Sequence, residues 1–161
     1  MNSPNSHDIK VLNDLAGGLI DSADGYAEAA AQTDDDRHRA LFAERSNERR
    51  QTAAELQAAV HGMGGEISED RSILAKAQRA FTDIKHALIR EEQAVVSAVD
   101  NDEQHLQARF EHALADETLS ATTRETIRRA YAAVKTGHEQ MHLLRRSLEG
   151  QHDADDPLRP R

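Results

Sequence analysis

The chain has 161 residues, with 29 acids against 20 bases and a net charge of −9. That length suits one domain whose core needs no staples. The bases alternate with acids, so no basic stripe exists to neutralise phosphates, which excludes nucleic acid as a partner. The same charge disfavours anionic membrane surfaces, and no apolar run approaches the roughly 18 residues of a spanning helix.

Residues 1–7 are expected to be a disordered N-terminus without the apolar core of a signal peptide. From Asp8 a helical pattern begins, with Leu12, Leu15, Ala16, Leu19, Ala23, Tyr26 and Ala30 at spacings of three and four. Asp14, Asp21 and Glu28 repeat on the opposite side and read as a solvated face. Gly17, Gly18 and Gly25 weaken this helix and admit a close neighbour. Thr33–Asp36 stop the first helix and cap the second.

The second helix is predicted over Arg37–Val60, with the stripe Phe42, Ser46, Arg49, Ala53, Leu56, Val60. Gly62-Met63-Gly64-Gly65 end it. Ser68 caps a shorter segment reaching Leu88, marked by Ile73, Leu74, Ala77, Phe81 and Ile84. The next stripe is Val95, Val96, Val99, Glu103, Leu106, Phe110, Ala113. It is followed by a turn over Asp116–Thr123, with Ser120, Thr122 or Thr123 as cap. The last helix, Thr123–Glu149, carries Ile127, Ala130, Tyr131, Val134, His138, Met141, Leu144 and Leu148, and Gly150 closes it.

The domain is thus predicted over residues 8–150, with residues 151–161 a disordered, proline-containing tail. The fold class is all-α. Four long helices with a shorter crossover helix between the second and third long ones make a ferritin-like four-helix bundle. Zero cysteines exclude disulfides and thiolate chemistry, and fit a cytoplasmic location. The alanine-rich faces of the second and last helices offer a surface for a second copy of the chain.

The segments VLNDLAGGLIDSADGYAEAA, LFAERSNERRQTAAELQAAVHGMGG, DNDEQHLQARFEHAL and AVKTGHEQMHLLR resemble a bacterial ferritin-like four-helix-bundle family of unknown function. The resemblance spans about Ile9 to Leu148. It rests most on Gly25-Tyr26, Ser46 with Arg49, Glu55-Leu56, Glu103 and His138. It departs at Ala23, where an acid is expected, and at Ile89–Glu92, where a glycine-containing loop is expected. The resemblance implies a fold and no assigned activity.

His138-Glu-Gln-Met-His142 matches H-E-x-x-H, the helical motif of zinc hydrolases. His138 lies on the edge of the buried stripe while Glu139 and His142 point away, so the motif straddles core and solvent. Glu139-x-x-His142 also has the spacing of di-iron bundles, which need inward carboxylates from four helices. The first helix offers no inward acid, and the second places Arg49 on its stripe. A permanent cation opposes binding of two metal cations. The sequence therefore predicts no cofactor and identifies no catalytic residue. The alternative is an iron or manganese site at Glu103, His138 and His142, in a ferritin-like metal binder or oxidoreductase.

Arg49, Glu103 and His138 all fall mid-helix on apolar stripes. Buried charges need partners, because desolvation costs several kcal/mol per ion. A buried polar cluster of Arg49, Glu103 and His138, completed by Ser46, Tyr26 and Ser22, is the expected result. Its foremost role is to fix helix register. His38, His61, His86, His105 and His112 lie among charges, and most of them are read as surface residues.

Overall fold

A computed structural model describes residues 5–68 and 92–154 of the chain, with side chains described within 5–68 and 94–148. They form four helices, α1 (Ser6–Gln32), α2 (Asp36–Gly62), α3 (Glu92–Leu114) and α4 (Ala121–Ala154), and no strand among the described residues. No helix among them is long and apolar enough to cross a membrane. The segment Ser68–Leu88, predicted as a crossover helix, lies almost wholly outside the described residues. So do Ile89, Arg90 and His86.

Local chemistry explains the helix ends. The N–H of Thr33 closes α1 on the carbonyl of Ala29. Two residues later the Asp35 carboxylate accepts from the N–H groups of Arg37 and His38 and caps α2. Beyond α2, Gly64 takes φ of 76°, the left-handed region open to glycine. Ser120 caps α4 by accepting from the Thr123 N–H at 3.2 Å.

Side-chain contacts set the helix directions. Tyr26 packs on Phe42, and Ser46 reaches the carbonyl of Ala23, so α1 and α2 are antiparallel. His7 meets Asp116 while Tyr26 meets Glu103, so α1 and α3 are antiparallel as well. Tyr131 donates to Glu111 and Arg145 to Asp100, which makes α3 and α4 antiparallel. It follows that α2 and α3 run the same way. α2 therefore ends, and α3 begins, at opposite ends of the bundle.

The core has two apolar parts. One is built on Leu12, Leu19, Leu56, Val60, Phe110, Ile127 and Val134. The other is built on Tyr26, Phe42, Val96, Val99 and Met141. Each fully buried side chain of this kind contributes roughly 1.5–3 kcal/mol. Between the two parts each helix brings a small or polar residue to one level: Ala23, Ser46 with Arg49, Glu103, and Gly137.

Several expected boundaries move. α1 begins at Ser6, two residues before the expected start at Asp8. Asp8, expected as the helix start, is buried instead and accepts from the Ser120 N–H and the Thr123 hydroxyl at 3.2 and 2.8 Å. α4 does not stop at Gly150 but continues to Ala154. A helical glycine is a propensity loss of about 1 kcal/mol, not a barrier, and ends a helix only where the chain turns. Of the histidines read as mostly surface residues, His38 is buried beside Phe42. Asp21 and Glu28 are half-buried rather than fully solvated.

Candidate functional site

The polar level starts from Arg49 on the inward stripe of α2. Arg49 is 2% exposed and Glu103 of α3 is 1% exposed. Arg49 Nη2 sits between the two carboxylate oxygens of Glu103, 2.8 Å from Oε1 and 2.9 Å from Oε2. The buried phenol of Tyr26 donates to Glu103 Oε1 at 2.6 Å. The guanidinium carbon of Arg49 lies 5.9 Å from the centre of the Tyr26 ring, within cation–π reach. Burial, and then the adjacent Glu103 charge, raise the Tyr26 phenol well above its ordinary pKa. The phenol therefore stays protonated and keeps donating.

The remaining expected members lie differently. Ser46 is buried, but its hydroxyl donates to the carbonyl of Ala23 at 2.7 Å and ties α2 to α1 instead of joining the ion pair. Ser22 is half-buried and makes no hydrogen bond to the cluster. His138 does not bond to Arg49 or Glu103. Its ring stacks on His142 with centroids 6.3 Å apart, and its Nδ1 is buried without a partner. Glu139 and His142 are exposed, so the H-E-x-x-H motif straddles the edge of the core. Among the described residues no group of three or more His, Asp or Glu side chains is placed to hold a metal ion.

Three residues of this level were not singled out by the helical pattern. Gly137 is buried on α4, and a Cβ placed there would meet Arg49 Nη2 directly and Arg45 Nε at 3.4 Å. Arg45, one turn before Arg49, is 5% exposed; its Nη1 donates to Glu48, and its Nε is buried without an acceptor. Asp100, one turn before Glu103, is fully buried and accepts from Arg145 Nη1 at 2.9 Å. The signals were present: Gly137 follows Val134 by three, Arg45 follows Phe42 by three, and Asp100 precedes Glu103 by three.

Outside this level, Asp102 lies over Gly25, which lacks a Cβ that would stand 3.5 Å from its Oδ2. Loss of solvation, with the Glu103 and Asp21 charges, raises its carboxyl to about 6 against the opposing pull of His105.

The cluster's chemistry follows from its donor set. Both Glu103 oxygens are taken by Arg49 and Tyr26, and the pair is neutral inside an apolar surround. A di-metal centre needs several inward carboxylates with free lone pairs; Glu103, with both oxygens engaged beside a fixed cation, and Asp100, paired with Arg145, do not make such a set. The arrangement holds three helices in one register by charge-assisted hydrogen bonds.

No curated protein matches the chain. The family described as Domain of unknown function (DUF2383) matches residues 7–116, which takes in α1, α2 and α3 and leaves α4 outside. With more than half of its length matched, the chain belongs to the DUF2383 family.

Proposed function

We propose that this chain is a ferritin-like bundle that acts as a non-catalytic structural or interaction protein of the cytoplasm. The order of helices supports the ferritin-like reading. Two antiparallel hairpins, α1–α2 and α3–α4, with α2 parallel to α3, require a connection that returns along the bundle, as ferritin-like folds have. The observation that carries the functional reading is the Arg49–Glu103 pair, 2.8 Å apart at the level where relatives of this fold hold metals. It replaces a ligand by a cation and occupies the one inward glutamate there. A role in stress or housekeeping belongs to this proposal, as does self-association through exposed Ala40, Ala43 and Ala54 of α2 and Ala132 and Ala133 of α4.

The competing reading is a metal binder with a degenerate site at Glu103, His138 and His142, holding iron or manganese. Elemental analysis of the full chain, purified without chelators, tests both. The expected result is iron and manganese well below one ion per chain. Stoichiometric metal that disappears in Glu103→Ala overturns the proposal.

A further inference from the structure

One side of α4 is covered by no other helix among the described residues. Glu125, Arg129, Thr136, Glu139, Leu143 and Arg146 share it at helical spacing, and all are exposed. Leu143 is 64% exposed, the most exposed large hydrophobic among the described residues. Arg129, Glu139 and Arg146 have no ion pair among those residues. Glu125 has only a surface contact with Arg128 at 3.3 Å, of a kind that contributes little.

The charges on this face complement themselves when the helix is reversed. Laid antiparallel on a second copy, with Thr136 near the twofold axis, Glu125 faces Arg146 of the copy, and Arg146 faces Glu125 of the copy. Arg129 then lies on Leu143 of the copy, its stem against the leucine and its guanidinium within reach of Glu139 one turn away. A parallel arrangement sets every charge against its own like and is disfavoured. The centre of the face is small, with Ala132 one turn from Thr136. The Thr136 hydroxyl already donates to the Ala132 carbonyl at 3.1 Å, so covering it strands no donor. We propose that the outer face of α4 is the interface of an antiparallel dimer of this chain. This rests on the reading that the chain self-associates and assigns the contact to α4 alone. A single helix pair falls at the low end of interface sizes, so the dimer is reversible and sensitive to salt.

Sedimentation velocity of the full chain over a range of concentrations tests it. A monomer–dimer equilibrium that weakens as salt is raised is expected. Arg146→Glu and Glu125→Arg, both at exposed positions, are each expected to weaken dimerisation at least about tenfold. Their combination is expected to restore it, because the pair is rebuilt with its signs exchanged. Thr136→Cys adds one thiol to a chain that has none. Near the twofold axis it is expected to give a disulfide-linked dimer on mild oxidation, whereas Ala54→Cys on α2 is not. A dimer that Arg146→Glu leaves intact and that links through Ala54→Cys overturns the α4 interface while the chain still self-associates. A combined variant as weak as the single ones also overturns it. A monomer at every concentration overturns both the interface and the self-association.

Discussion

Gly137 of α4 lies against the guanidinium of Arg49 of α2, so close that one methyl group would occupy the same space. The ion pair at the bundle centre thus depends on an atom that is missing from a third helix. Glycine inside a helix is usually a loss; here it lets a charged side chain cross between α2 and α4 to reach Glu103.

Gly137→Ala is therefore expected to destabilise the protein by about 1–3 kcal/mol through overpacking, despite alanine's better helix propensity. At Gly17, also inside a helix but on α1, an added methyl group would meet nothing within 4 Å. Gly17→Ala is expected to stabilise by up to about 1 kcal/mol. Urea denaturation of the two variants should give opposite signs. A stabilising Gly137→Ala would mean that the α2–α4 approach at Arg49 is looser than described.

Arg49→Leu leaves Glu103 buried with only Tyr26 as partner. A loss of about 3–5 kcal/mol is expected, because an uncompensated buried charge remains. Arg49→Leu combined with Glu103→Met removes both charges and should recover most of that loss. A double variant no more stable than the single one would show that the pair contributes net stability beyond mutual neutralisation.

Tyr26→Phe removes the 2.6 Å hydrogen bond to Glu103 and leaves the ring in place. The expected loss is about 1.5–3 kcal/mol, the range for a hydrogen bond to a charged group. In the parent chain the Tyr26 phenol should resist ionisation above pH 10, since burial and the Glu103 charge raise it. Ultraviolet absorbance titration separates it from Tyr131, and a Tyr26 phenolate appearing at pH 10 in the folded protein would contradict the geometry.

Two carboxylates are expected to shape the acid response in opposite directions. At Asp8 burial works against ionisation, but the hydrogen bonds from Ser120 and Thr123 outweigh it and the net shift is downward. Its stabilising contribution is present above the unfolded value of 3.8 and is lost as pH falls through the lower folded value. At Asp102 the folded value rises from 3.8 to about 6. Stability from this group is present below pH 3.8 and is lost as pH rises to about 6. Asp102→Asn should therefore raise the melting temperature at about pH 7.5 and flatten the profile in that window. Asp8→Ala should lower it at the same pH by removing two hydrogen bonds at the start of α4. Melting curves between about pH 4 and 8 check both signs.

The helices and the stripe positions of Arg49, Glu103 and Tyr26 were legible from the sequence. Helical periodicity is a local property, and a charged residue at core spacing announces a buried charge wherever the helix packs. The caps at Asp35 and Ser120 belong to the same class, because a cap is made within a few residues. What only tertiary structure decided is how the stripes are rotated and levelled against one another. His138 shares the spacing of its apolar neighbours, yet its rotation on α4 leaves it on His142 and away from the pair. Ser46 shares the stripe of Arg49 but meets the α1 backbone first. Asp8 joins the start of α4, 112 residues ahead in the chain, a contact no local pattern encodes. Gly137 is the sharpest case. It follows Val134 by three, yet the helical pattern did not single it out, and only the approach of Arg49 from another helix explains why that position has no side chain.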